Sequence, residues 1–114
     1  MKSSDVFVEA EQLSWEEAGK GVKRKILGYE PNLMMVSVDF EKGSVGALHS
    51  HPHRQVTFVA AGKFEVQIAS EKRTLNVGDS FIIPPGIEHG VLALEKGLLI
   101  DVFTPAREDF LTRK

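Results

Sequence analysis

His49 and His51 stand two residues apart in the run Leu48-His49-Ser50-His51-Pro52-His53-Arg54-Gln55, a spacing that suits metal ligation. In an extended chain, side chains alternate between two faces, so both imidazoles can reach one point. Pro52 interrupts regular pairing and lets the chain bend, and Gln55 then has the parity to return an amide oxygen to the same place. Farther on, an apolar strand runs into a Pro84-Pro85-Gly86 turn that delivers His89. Three neutral imidazoles and an amide oxygen suit a borderline divalent ion such as nickel, zinc, iron, manganese or copper. Calcium and magnesium prefer all-oxygen sites. A simpler role for Gln55 is to fill space while the histidines alone hold the ion.

Asp101 lies in the apolar run Leu98-Leu99-Ile100-Asp101-Val102-Phe103 and shares a face with Phe103. An unpaired charge buried there is costly, so the carboxylate needs a role or a partner. Facing inward, Asp101 is a general acid/base whose pKa burial lifts toward neutrality. The structural alternative is a hydrogen bond to backbone or to a cation. Arg107 follows Pro105 and either grips a substrate carboxylate at the cavity mouth or pairs at the surface with Glu108 or Asp109. Arg24, between Lys23 and Lys25, reads as part of a solvated strand edge. Its sharper reading is an inward cation meeting an anionic ligand. His53, in the bend after Pro52, is a loop residue or a substrate contact at the mouth.

These side chains need a scaffold that brings distant segments together. Met34, Val36, Val38 and Phe40 alternate with more polar neighbours and mark one strand. Further strands are expected over 22–27, 55–61, 63–69, 72–75, 80–83, 90–94 and 98–103, separated by Gly, Pro and Asn turns. Gly62 falls in a tight connection that calls for a positive φ. Val6 to Val8 reads as an edge strand, and Ser14-Trp15-Glu16-Glu17 as a capping box for one helical turn that Gly19 and Gly21 end. A turn is expected over 28–32. The expected fold is all-β, a single-domain jelly-roll barrel of antiparallel strands with little helix. It divides into an N-terminal arm over 1–21, a barrel over about 22–104 and a tail over 105–114.

A chain of 114 residues has room for one core. Its 14 basic against 16 acidic residues leave a net charge of −2, so neither nucleic acid nor an anionic membrane surface is an expected partner. There are no cysteines, which removes disulfides, thiolate ligands and a cysteine nucleophile. With no long apolar segment, the chain reads as soluble, unexported and cytoplasmic.

Two segments, from Gly43 through His49, His51 and Gln55 to Gly62 and from Gly78 through Pro84 and Gly86 to His89, resemble the two motifs of the cupin superfamily. Gln55 replaces the usual glutamate, and Ala93 the usual closing asparagine. The phrases Gly21-Val22-Lys23-Arg24-Lys25-Ile26-Leu27-Gly28-Tyr29, His49-Ser50-His51-Pro52-His53-Arg54-Gln55-Val56-Thr57 and Asp101-Val102-Phe103-Thr104-Pro105-Ala106-Arg107 look more narrowly like the KdgF-type cupins of pectin and alginate degradation. That resemblance implies metal ligands His49, His51, Gln55 and His89, with catalytic residues Asp101, Phe103 and Arg107. It implies a divalent transition metal (nickel, zinc, iron or manganese), a small anionic sugar as substrate, and a homodimer formed through N-terminal strands and sheet edges. The implied reaction is ketonisation of 4,5-unsaturated monouronates to linear 4-deoxy-5-keto-uronates by ring opening and tautomerisation. The alternatives are another metal-dependent cupin enzyme, a dioxygenase or sugar isomerase, or a non-catalytic cupin that binds small anions or sugars.

Overall fold

The computed structural model describes residues 2–112; Met1, Arg113 and Lys114, at the ends of the expected arm and tail, lie outside it. A 3-10 turn at Ala10–Gln12 leads into the strands β1 Glu16–Gly19, β2 Val22–Glu30, β3 Leu33–Phe40, β4 Val45–His49, β5 Arg54–Ala61, β6 Phe64–Ile68, β7 Glu71–Leu75, β8 Ser80–Ile83, β9 His89–Ala93 and β10 Gly97–Thr104, followed by one short helix, α1 Glu108–Thr112. The strands form two antiparallel sheets, ordered β1-β2-β3-β10-β5-β8 and β4-β9-β6-β7. This is the expected all-β architecture with little helix.

The core lies between the sheets because alternation aims one side of each strand inward. Met34, Val36, Val38 and Phe40 of β3 are all buried, as are Val59 of β5, Phe64 and Val66 of β6, Phe81 and Ile83 of β8, and Leu99 and Phe103 of β10. The same parity turns Gln55 and Thr57 of β5 and Arg24 of β2 inward. Gly62 closes the β5–β6 connection at φ +83°, where a Cβ would stand 2.5 Å from the Lys96 carbonyl oxygen. Only glycine permits both that φ and that approach.

Four expectations fail near the N-terminus and on β2. Val6 to Val8 form no strand, and the Val6 and Phe7 side chains are exposed. Residues after Ser14 form β1 rather than a helical turn, because one isolated turn gains little whereas pairing with β2 supplies ladder bonds and an Arg24–Glu16 ion pair at 2.6 Å. The turn expected over 28–32 shortens to Pro31 and Asn32, since β2 continues through Gly28 to Glu30 with a register irregularity between Ile26 and Tyr29. The charged run also divides by parity. Lys23 and Lys25 lie over the Trp15 ring at 4.8 and 4.7 Å, while Arg24 points inward and is buried, so its reading as a solvated edge is corrected.

On its outward side the six-stranded sheet exposes Leu33, Met35, Val56, Phe58 and Ile82. No helix among the described residues is long and apolar enough to cross a membrane.

Candidate metal centre and active site

β4 and β9 pair so that His49 faces His89 directly across the ladder, and their ring centroids lie 4.5 Å apart. His51 sits just beyond the end of β4, its ring 5.5 Å from that of His49 and 4.9 Å from that of His89. One ligand nitrogen from each falls within 4.8 Å of the others. The three histidines therefore converge as their spacing predicts.

The remaining ring nitrogens show which atom is free. Nδ1 of His49 lies 2.8 Å from the Ala47 carbonyl oxygen, Nδ1 of His51 3.1 Å from that of His53, and Nδ1 of His89 2.9 Å from that of Ile87. A carbonyl only accepts, so each Nδ1 carries the proton and each Nε2 keeps a lone pair. A metal-binding histidine is oriented by the same kind of bond. Nε2 of His89 is buried with no hydrogen-bond partner among the described residues.

Gln55 strengthens the fit. Its Nε2 donates to Thr57 Oγ1 at 2.9 Å and to Asp101 Oδ1 at 3.3 Å, so its carbonyl oxygen must face the histidines. There Oε1 lies 2.9 Å from His51 Nε2. Two acceptors at that distance repel unless a cation lies between them or the imidazole is protonated. Burial lowers the pKa of His51, and likewise that of His89, which favours the neutral ligand form at neutral pH. The donor set, three imidazole nitrogens and an amide oxygen, thus fits a divalent transition metal better than a hard oxygen-seeking cation.

Asp101 stands on the far side of Gln55. Thr57 Oγ1 donates to Asp101 Oδ1 at 2.6 Å, and the second bond to that oxygen comes from Gln55, so both donors hold Oδ1 and leave Oδ2 to carry a proton. The carboxyl is enclosed by protein atoms, and what surface it keeps faces the cavity. Burial pushes its pKa up to about 6, against the opposing pull of the Thr57 hydrogen bond and the Arg107 charge. The partners of Asp101 are thus the side chains of Thr57 and Gln55 rather than the backbone or cation of the structural alternative, and the carboxyl still lines the cavity.

A cavity of about 320 Å³ is lined by His49, Gln55, His89, Asp101, Phe103 and Arg107, among others. Phe103 is buried and meets the His51 ring edge-on at 5.7 Å. Arg107 makes the expected pair with Asp109, though not as a surface residue. It is bidentate to Asp109, with Nε–Oδ1 at 3.0 Å and Nη2–Oδ2 at 2.9 Å, yet its side chain is largely buried and stacks over Phe103 at 5.0 Å and Phe110 at 4.2 Å. That pair with Arg107 holds the Asp109 pKa below the usual carboxylate value. His53 remains outside the ligand group, its ring 5.5 Å from His51.

Sequence reasoning missed Thr57 and the partner of Arg24. Thr57 sits two residues after Gln55 on the same face, so parity could have placed it in the site. Glu16 could not be found that way, because its segment read as helix.

The cupin domain family matches residues 36–103. The chain is 50% identical over 103 residues to the pectin degradation protein KdgF of Dickeya dadantii (strain 3937), covering 89% of this chain and 94% of that protein. Its fold superposes on the structure of KdgF from Halomonas sp. with a TM-score of 0.89 and 40% identity, covering 94% of this chain and 99% of the other. An RmlC-like cupin from Shewanella frigidimarina superposes with a TM-score of 0.93 and 44% identity, covering 96% and 99%.

Proposed function

Because the chain belongs to the cupin domain family and, within it, to the KdgF-type pectin degradation proteins, we propose that it is a metal-dependent enzyme that ketonises 4,5-unsaturated monouronates. The substrates are the unsaturated sugars left by pectin or alginate breakdown, and the products are linear 4-deoxy-5-keto-uronates, formed by ring opening and tautomerisation of the isomerase type. One observation supports this reading above others: a buried acid shares a cavity with His49 and His89 and is joined through Gln55 to His51, the third member of the converging histidine group.

His49, His51, Gln55 and His89 would hold the ion, whether nickel, zinc, iron or manganese. When bound, it supplies a Lewis acid beside substrate oxygens that gain negative charge as the ring opens. The protein's own groups do the rest. Asp101 gives and takes the proton at C4 through Oδ2, since Oδ1 is occupied by Thr57 and Gln55. Phe103 forms an apolar wall that limits water. Arg107, kept in place by Asp109 and two aromatic rings, orients the substrate carboxylate. The reading includes a cytoplasmic setting and a homodimer, for which the apolar outward face around Val56 and Ile82 offers a better surface than the sheet edges.

The direct test follows the absorbance of an unsaturated galacturonate with and without metal-loaded protein. Faster loss of the chromophore is expected. Loss at the uncatalysed rate contradicts the proposal, and oxygen uptake would point instead to a dioxygenase.

Gln55→Glu is expected to keep the metal but slow turnover by about tenfold or more. The substitution deletes the donor to Asp101 and sets a second carboxylate beside it, and like charges raise one another's pKa. The acidic limb of the pH–rate profile should therefore move to higher pH. An unchanged rate and profile would show that neither the ligand charge nor the bond to Asp101 matters.

A further inference from the structure

Arg24 is a cation that the reaction just described does not use. The residue is 8% exposed and lines the same cavity as Asp101. Its hydrogen bond among the described residues runs from Nε to Glu16 Oε1 at 2.6 Å, and this engages only one of the five N–H donors of a guanidinium. The planar group stacks on Phe110, with Cζ 3.7 Å from the ring centroid, so its in-plane donors stay clear of that ring. Phe110 also carries Arg107 at 4.2 Å, and one aromatic side chain from α1 thus supports two guanidiniums. A buried arginine that lines a cavity, with one donor engaged among the described residues, is an arrangement that gains from a ligand oxygen.

The two arginines reach the cavity from different elements, Arg24 from β2 and Arg107 from the residue before α1. Arg107 stacks over Phe103 at 5.0 Å, and the Phe103 ring lies 5.7 Å from that of His51, which sets this arginine beside the histidine group. Arg24 starts from another place. The ladders pair Arg24 with Val38 and Val38 with Leu99, two residues before Asp101. Two strand spacings and two residues of rise separate the Cα atoms of Arg24 and Asp101 by about 12 Å. An arginine side chain reaching in from one side and a six-membered sugar ring together bridge such a gap.

We propose that Arg24 is a second ligand-anchoring residue, donating through Nη1 and Nη2 to the hydroxyl and carbonyl oxygens at the end of a monouronate remote from its carboxylate. The inference rests on the uronate reading of the cavity and adds to it a determinant of specificity. Arg107 recognises the acid, and Arg24 recognises the sugar end, so a bare carboxylate fills only half of the site.

Calorimetric titration of the metal-loaded protein with saturated galacturonate and, separately, with acetate tests this without turnover. Arg24→Gln is expected to weaken galacturonate binding by about 10- to 100-fold, the range for truncating a bidentate charged donor, and to leave acetate binding within about twofold. In turnover of the unsaturated sugar the loss should fall on KM more than on kcat. Galacturonate affinity equal to the parent's overturns the proposal, as does an equal loss for acetate, which would put Arg24 at the carboxylate. Should Arg24→Gln not fold, Arg24→Lys keeps the charge but neither the planar stack on Phe110 nor the fork, and an unchanged galacturonate affinity there overturns it equally. If Arg24→Gln loses galacturonate while the parent converts no unsaturated uronate, Arg24 keeps its role and the proposed reaction falls. If the parent catalyses the reaction and Arg24→Gln binds galacturonate as tightly as the parent does, the reaction stands and the anchoring role falls.

Discussion

Asp101→Asn is expected to lower kcat by roughly 100- to 10,000-fold, the range for removing a positioned general acid/base, while the metal-free protein gains stability at alkaline pH. Both effects come from one carboxyl group. Asparagine can still accept from Thr57 and Gln55 through its oxygen, so the local hydrogen bonds survive, but it has no proton to exchange. The folded carboxyl has its pKa pushed up to about 6 from 3.8, so between those values the folded state binds more protons than the unfolded chain. Its contribution is fully present below pH 3.8 and is lost as pH rises through about 6, a swing of about 3 kcal/mol at 1.36 kcal/mol per unit. Asparagine is neutral throughout and escapes that loss. Thermal unfolding at pH 4 and pH 8 should therefore show near equality at the first and a more stable variant at the second. Metal loading should narrow the gap, because a nearby cation lowers the carboxyl pKa. A variant with parental turnover would remove Asp101 from the chemistry, and one no more stable than the parent at pH 8 would deny the cost of its burial.

The residues that the sequence made legible have signals that local context cannot disguise. His49 and His51 are two apart in a segment that must be extended, and β-pairing then sets His89 opposite His49. Asp101 declares itself as the one charge in an apolar strand. Along β3, an alternation from Met34 to Phe40 leaves only one way to face the core. Arg24 was harder because three consecutive charges hide their period, although Val22 and Ile26, each two residues away, share its parity and lean toward the core. β1 was illegible for a different reason. Ser14 and Glu17 carry a genuine helix-start pattern, and what overrides it is a partner strand later in the chain, which no local window contains. Thr57 escaped because threonine is common in strands, and its hydroxyl acquires meaning only once Gln55 and Asp101 flank it.

His89→Ala should erase the response of the protein to metal. In the parent, free metal at a hundredfold excess over Kd adds about 2.7 kcal/mol to folding, since the ion binds the preassembled site and not the unfolded chain. For a domain of this size that is on the order of 10 °C in Tm. His89 is the cleanest member to remove. Its Nε2 is buried with no partner among the described residues, so deleting the ring costs the metal-free fold only the Nδ1 bond to the Ile87 carbonyl, and the van der Waals cost of the void is partly offset by removing an unsatisfied polar atom. The metal-free Tm should change much less than the metal-dependent increment, which should disappear together with turnover. His53→Ala supplies the contrast. His53 also has a buried nitrogen, Nδ1, with no partner among the described residues, but it stands outside the histidine group whose ligand atoms converge, so its loss should leave the metal increment intact. Elemental analysis and thermal scans of the two variants, each with and without added nickel or zinc, decide between these positions. If His89→Ala retains stoichiometric metal and the full increment, the ion is held elsewhere and the convergence of Nε2 atoms has another cause.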